Sequence, residues 1–424
     1  LQLVGSAMDS RLNYVAGLYY FYEDGFVHDW VPFDGGLLAV EDSGLNLLRT
    51  TSYAGFVHAD YKLTDQLGLT AGARYSVDDK FFVGGQQDLN GSGYLAIPPG
   101  GPVGSCFAPG STALSQGVPV GTPYNAPGGP ALTTASTTCQ QFLGFPVAGQ
   151  PYRYFPAGTN HQQFPEFTPT GSVQYHINDD IMTYASWSKG FKSGGWTTRL
   201  SFPILDARDA EYHPEKAQTT EIGLKSEWLN HHLQANLAGF YTDYTGIQLN
   251  QQVGASPVLK NLGDAHIYGA ELETVSVLGD GFFVHANAGY MDAEYYKLDP
   301  SVGTSITLGS KLPKTPKWKI NLNPEYDMDL GNGEALQFQA SYTHVSSLFN
   351  DSLNTELLKR PTLDLLDLSV QMTFGEGKYA VQVGGVNVTD RRYITEGSLN
   401  YAAGFVDASY NAPAEWYLRL RVKM

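Results

Sequence analysis

Basic residues, cysteines and long apolar runs are the scarce features of this 424-residue chain. Lysine and arginine number 26 against 42 aspartates and glutamates, which leaves a formal net charge of −16. That balance excludes nucleic acid as a partner, because binding phosphates requires a basic face. Apolar residues make up 42% of the chain, yet no run reaches the roughly 18 residues that a transmembrane helix needs. Helical periodicity is missing as well, in segments of any length. The two cysteines, Cys106 and Cys139, are too few for a disulfide scaffold and lack metal-ligand spacing. One loop disulfide in an oxidising compartment is the expected use, and two unpaired thiols are the alternative.

Catalytic signals are also absent. No Ser/His/Asp or Cys/His set recurs on one wall with suitable spacing, so no enzyme and no cofactor is expected. KGFKSGG at 189–195 has glycines and lysines, but a phosphate loop needs a helix to follow and a different spacing. His231 and His232 read as a solvated turn, and no metal site is expected.

What the chain has instead is a period of two. In the terminal EWYLRLRVKM, Trp416, Leu418, Leu420, Val422 and Met424 alternate with Tyr417, Arg419, Arg421 and Lys423. Such alternation makes a β-strand with one apolar and one polar face. The pattern recurs in 53–61, 67–75, 233–241, 282–290, 317–328, 336–344 and 366–374, and less cleanly in 180–189 and 264–277. Pro169 and Pro324 fall inside strand-like runs and suggest bulges or strand ends. Tyr, Phe and Trp number 27, 21 and 6, enough for two aromatic girdles.

The connections decide between folds. Short turns at 7–11, 64–65, 178–179, 229–231, 279–280, 331–333 and 375–377 alternate with long connections. The long ones fall near 23–50, 78–165, 190–214, 247–262, 296–315, 347–361 and 389–413. Outer-membrane barrels obey that rule, with tight periplasmic turns and long extracellular loops. The fold class is therefore all-β, a transmembrane antiparallel β-barrel in which about 15 strands are present. Such barrels have even strand numbers, so an odd count implies further strands outside 1–424, and an outer-membrane reading needs a signal sequence that was cleaved or lies upstream. The alternating charges Glu221, Lys225, Glu227, Glu271, Glu273, Lys317, Lys319, Glu325, Asp327, Arg419 and Arg421 are expected to face a wet lumen. The long loop at 78–165 is rich in Gly, Pro and Ser and cannot pack a core of its own.

Five segments in order carry a resemblance: YASWSKGFKSGGW at 184–196, YHPEKAQTTEIGLKSEWL at 212–229, NLGDAHIYGAELE at 261–273, PKTPKWKINL at 313–322 and GVNVTDRRY at 385–393. Together they resemble the barrel of TonB-dependent outer-membrane receptors. The resemblance implies a barrel of 22 strands with a plugged lumen, of which 1–424 would supply the last fifteen. It further implies a bacterial outer-membrane location and lipid as the surrounding partner. The plug, its TonB-contacting segment and the remaining strands would lie outside the chain. Met424 departs from the family's usual terminal aromatic residue. Energy-coupled uptake of a scarce ligand, an iron chelate such as a ferric siderophore, is the function implied; a passive porin-like channel and a surface adhesion protein are the alternatives. Ligand contacts are expected in the loop 190–214, at Trp196, Arg199, Arg208, Tyr212 and His213.

Overall fold

The computed structural model describes residues 1–33, 40–88, 152–155, 158–200, 204, 206–253, 256–300, 306–400 and 405–423. Cys106 and Cys139, and most of the 78–165 loop, lie outside the described residues.

In chain order the strands are β1 (Gln2–Ala7), β2 (Leu12–Phe33), β3 (Val40–Lys62) and β4 (Leu67–Val83), then the two-residue β5 (Gln87–Asp88) and β6 (Tyr152–Arg153). β7 (Asn160–His176) and β8 (Ile181–Lys192) follow, with the short β9 (Gly195–Trp196) and β10 (Glu211–Tyr212) after them. β11 (Glu215–Trp228) and β12 (Leu233–Thr245) precede a hairpin, β13 (Gln248–Val253) and β14 (Ser256–Asn261). Next come β15 (Gly263–Gly279), β16 (Phe282–Leu298), β17 (Trp318–Gly331), β18 (Glu334–Val345), β19 (Leu363–Phe374) and β20 (Tyr379–Val386). A second hairpin, β21 (Ile394–Asn400) and β22 (Phe405–Tyr410), leads to β23 (Glu415–Val422).

Seventeen of these strands share one sheet, and setting aside the two-residue β5 and β6 leaves fifteen long staves. Each stave pairs antiparallel with the next in the chain, from β1–β2 through β20–β23. The strand count read from the sequence is thus met, and 180–189 and 264–277 take their places as β8 and β15.

The two faces differ as the period of two requires. One face exposes Leu18, Tyr20, Phe26, Leu45, Tyr53, Val57, Ile222, Leu237, Leu272, Leu368 and Val383. On β23 it exposes Trp416, Leu418, Leu420 and Val422, opposite Gly385, Val383, Val381 and Tyr379. An apolar surface this extensive is untenable in water and fits hydrocarbon. Aromatic rings lie on it in two bands: Tyr290 meets Trp318 at 4.9 Å between centroids, and Tyr326 lies 6.3 Å from Phe282 and 6.5 Å from Phe338. Between the bands run Ala286, Ala288, Ile320 and Leu322, as expected for the bilayer interior.

The opposite face is polar and laterally bonded. Arg419 Nη1 donates to Gln382 Oε1 at 3.2 Å, Gln382 Nε2 to Ser369 Oγ at 3.2 Å, and Ser369 Oγ to Gln339 Oε1 at 3.3 Å. Gln339 and Gln337 then donate to the two oxygens of Glu325, at 2.8 and 2.9 Å. Between β11 and β17 the same face forms a cleft of about 720 Å³ lined by Glu221, Lys225, Glu271, Glu273 and Lys319. Lys317 departs from the expected lumen-facing band. It precedes β17, and its Nζ reaches Asp292 at 2.7 Å; Asp292 sits opposite Tyr268 on the apolar side.

The short turns occur where expected. Gly281, for instance, has a φ of +77°, and a Cβ there would lie 2.0 Å from the Asp327 carbonyl oxygen. Several long connections are shorter than the sequence suggests. β2 and β3 continue past the expected boundaries at 23 and 50, leaving only 34–39 between them. The connections at 247–262 and 389–413 contain hairpins. Pro324 lies inside β17, at neither a bulge nor an end. It leaves two positions of the β17–β18 ladder unpaired, while Leu322↔Tyr342 and Glu325↔Gln339 keep one register across the gap. Proline has no N–H to donate there. Pro169 marks a real limit, because the β7–β8 ladder stops at Thr170 while the β4 side continues.

Candidate functional site

The loop between β8 and β11 folds inward over the polar face of β2–β4. Its anchor is apolar: Trp196 stacks on Phe82 at 5.5 Å and 11°, and Phe82 meets Phe155 edge-on at 5.3 Å. Tyr154, Leu200, Ile204 and Ala210 complete the cluster, with Leu48 packed against it. Phe155 fits because Gly84 offers no side chain, since a Cβ there would sit 2.2 Å from the ring.

Polar groups beneath the loop are satisfied by its backbone. Asn46, fully buried, donates from Nδ2 to the Thr198 carbonyl at 3.0 Å and accepts from the Gly85 N–H at 3.1 Å. Gln86 holds Leu200 from both sides, donating to its carbonyl at 2.8 Å and accepting from its N–H at 2.7 Å. Lys80 Nζ donates to the Gly194 carbonyl at 2.8 Å. Buried backbone is costly unless bonded, so these contacts are what allow the loop to lie inward.

The five expected contact residues therefore have different settings. Trp196 is buried at 5% exposure, its ring occupied by Phe82. Arg199 donates through Nε and Nη2 to Asp29 Oδ2, at 3.2 and 2.7 Å. Arg208 pairs with Asp206, whose carboxyl is held below its usual range by that hydrogen bond. Tyr212 pairs through its backbone with Gly195, and burial pushes its phenol above the ordinary value. His213 is bound through its backbone: its N–H donates to Asn261 Oδ1 at 2.7 Å, and its carbonyl accepts from Gln248 and Asn261. The structure brings Trp196 and Tyr212 together on one small β-pair and ties His213 to the 248–261 hairpin.

Several charges around the loop are paired. Glu166, buried, meets Lys216 at 2.5 Å and Lys189 at 3.6 Å. Glu215, also buried, meets Lys192 at 3.6 Å and accepts from the Gln248 N–H at 2.7 Å. Glu211 accepts from Gln162 at 3.2 Å, and partial burial raises its pKa. A second apolar cluster, with Ile247, Leu262, Tyr295, Ile306 and Leu312 at its centre, fastens the neighbouring loops.

The sequence missed Asp29, Asn46, Phe82, Gln86 and Phe155 as parts of this site. Residues 23–33, EDGFVHDWVPF, carry apolar residues at odd and even positions alike, so the period of two is blurred just where β2 outruns the apolar band. Phe82 and Phe155 carried no local signal beyond being aromatic.

A ladder of antiparallel staves with an apolar exterior, aromatic bands, a polar interior and loops folded in at one end defines the wall of an outer-membrane β-barrel. Residues 2–388 match the family model described as TonB dependent receptor-like, beta-barrel, and the chain belongs to that family, whose members are receptors of the bacterial outer membrane. Among relatives, the Ferrioxamine B receptor of Salmonella typhimurium is 25% identical over 249 residues, which is 58% of this chain and 33% of that protein. The probable TonB-dependent siderophore receptor PiuA of Acinetobacter baumannii is 26% identical over 218 residues, 50% of this chain and 28% of that protein. The ferric yersiniabactin uptake receptor FyuA of Yersinia pestis shares the fold with a TM-score of 0.70 at 18% identity, over 99% of this chain and 52% of FyuA. This chain thus matches about a third of the length of those relatives and half that of the solved structure.

Proposed function

We propose that the protein takes up a ferric siderophore across the outer membrane, with energy supplied through TonB by a plug carried elsewhere in the protein. The observation that carries this reading is the inward-folded loop 193–214, anchored by Trp196 on Phe82, in a chain of this family. Such a loop narrows the mouth and offers a surface that a ligand meets before the lumen. The names of the two relatives support a siderophore as the ligand class.

Charge pairing refines the proposal. Arg199, Arg208, Lys189, Lys192 and Lys216 have acidic partners while Lys80 donates to the Gly194 carbonyl, so most of the positive charge around the loop is offset. A chelate of low net charge, held by hydrogen bonds and ring contacts, fits better than a highly anionic one. Exposed parts of Arg208, Tyr212 and His213 are the contact candidates, with Trp196 fixing the loop beneath them. The reading is transport and not catalysis.

The test is uptake of iron-labelled chelates by iron-starved cells that express the protein as their sole receptor for them. Import of a neutral or cationic hydroxamate chelate that stops when TonB is deleted supports the proposal. Passage that persists without TonB and tracks solute size would mean a porin-like channel.

A further inference from the structure

The β18–β19 ladder continues past its last pairs, His344↔Asp364 and Val345↔Leu363. Three positions further on, Leu348 and Arg360 form a bridge, each N–H donating to the other's carbonyl, at 3.0 and 2.9 Å. Equal steps along both chains leave the register unchanged, so Arg360 keeps the parity of Asp364, Leu366 and Leu368. That row faces outward, and Leu368 is exposed on the apolar face. The neighbouring strand gives the height. Ser346 donates its N–H to the Trp318 carbonyl at 2.9 Å, and Trp318 belongs to the aromatic band nearer the long connections. Arg360 stands two residues past the row through Ser346, about 7 Å along the strand, where the headgroup region begins.

The Arg360 guanidinium is short of partners. Its Nε is buried and finds no acceptor, and among the described residues no carboxylate pairs with it. Tyr393 lies beside it, with the ring centroid 5.7 Å from the guanidinium carbon. Other cations nearby are paired: Lys359 with Glu356 at 3.2 Å, Lys314 with Glu396 at 3.2 Å and Arg392 with Asp390 at 3.6 Å. Asp364, lower in the same row, is engaged by the Tyr342 hydroxyl at 2.6 Å and by His344 Nδ1 at 2.8 Å. Burial presses the Arg360 pKa below its ordinary value, yet a guanidinium stays charged in proteins. A partly buried charge with an unmet donor is costly, and an anion would relieve it.

We infer that Arg360 anchors a phosphorylated glycolipid of the outer leaflet, with the phosphate on the guanidinium and the acyl chains along Leu366 and Leu368 of the same outward row. The planar guanidinium suits phosphate, which accepts two parallel N–H bonds from it. Basic sites at the edge of the hydrocarbon bind lipid headgroups in this way. The row is itself amphipathic, charged above the aromatic band and apolar below it, which matches the polarity of a lipid molecule. Free phosphate would gain the same hydrogen bonds but nothing from the leucines, so the outward register favours lipid.

Native mass spectrometry of the full-length receptor in detergent tests the anchor, with bisphosphorylated lipid A and its dephosphorylated form as probes. The parent protein should bind the phosphorylated probe about tenfold more tightly, the effect of one charge-assisted contact. Arg360→Gln should abolish that preference, whereas Arg11→Gln, at the short-turn end, should leave it unchanged. Excess inorganic phosphate should not displace the lipid. The heat-modifiable gel shift checks that each variant is folded, and the comparison of the two probes on the parent protein needs no variant at all. Equal binding of both probes by the parent overturns the proposal, as does a preference that survives in folded Arg360→Gln. Displacement by inorganic phosphate would mean a site for the free anion and would overturn the lipid assignment.

Discussion

Arg199 joins Asp29 across 170 residues of sequence, with Nη2 2.7 Å from the carboxylate, and so ties the β8–β11 loop to the upper part of β2. Both side chains are partly exposed, which limits the strength of the pair. A double-mutant cycle of Arg199→Ala and Asp29→Asn, read by hydrogen exchange of the loop, should give a coupling of about 0.2–1 kcal/mol. Additive effects would show that the contact does not hold the loop.

Trp196→Ala should release the same loop more completely. It empties the face of Phe82 in a closed cluster, where Phe or Trp to Ala changes cost about 3–5 kcal/mol when fully expressed. Limited proteolysis should then cut within 193–214, while the heat-modifiable gel shift of the barrel stays intact. Loss of that shift would mean the cluster supports the staves themselves.

Glu211 sets a pH dependence for loop docking. Burial raises its pKa in the folded loop above the ordinary 4.5, so the docked loop binds a proton more tightly than the released one. The associated stability is fully present below pH 4.5 and is lost as the pH rises through the raised value. Protease nicking of the loop should therefore increase across that window, and Glu211→Gln should flatten the profile. A profile of the same shape in the variant would remove Glu211 as the cause.

Leu420 and Arg421 separate the two faces of β23 with adjacent residues. Leu420 is 69% exposed on the apolar side, opposite Val381. Leu420→Arg places a charge in lipid, at about 2–4 kcal/mol near the midplane and less near an interface; a position close to the strand end favours the lower half. Arg421→Leu should cost little. Denaturant titration of the bilayer-inserted protein ranks the two, and a larger loss for Arg421→Leu would invert the assignment of faces.

Cys106 and Cys139 are proposed to pair within the 78–165 loop. Closing 32 intervening residues constrains the unfolded chain by about 3–4 kcal/mol in the chain-entropy model. Thiol labelling of oxidised protein should find neither cysteine free, and labelling of both would refute the pair.

The staves were legible because lipid on one side and water on the other force a contrast at every second residue, as in Trp318, Ile320 and Leu322 against Lys319, Asn321 and Asn323. Where strands rise past the lipid that contrast vanishes, which is why β2 and β3 extend beyond their expected ends. Lys317 was misplaced for a related reason, because it precedes the ladder and the parity of β17 does not govern it. The loop site was legible in composition only. Arg199 and Trp196 stand out as side-chain types, but their partners Asp29 and Phe82 are distant in sequence, and no local period links them.

The row from Arg419 through Gln382, Ser369 and Gln339 to Glu325 crosses five strands and has a consequence for assembly. Backbone hydrogen bonds fit equally well in any register, so they cannot tell a correctly placed strand from one that has slipped. A slip of one residue turns every side chain to the other face, setting Leu368 or Leu418 where the row needs Ser369 or Arg419. The row therefore acts as a proofreading device, letting each arriving strand complete the bonds of its neighbour only when it stands in the correct register.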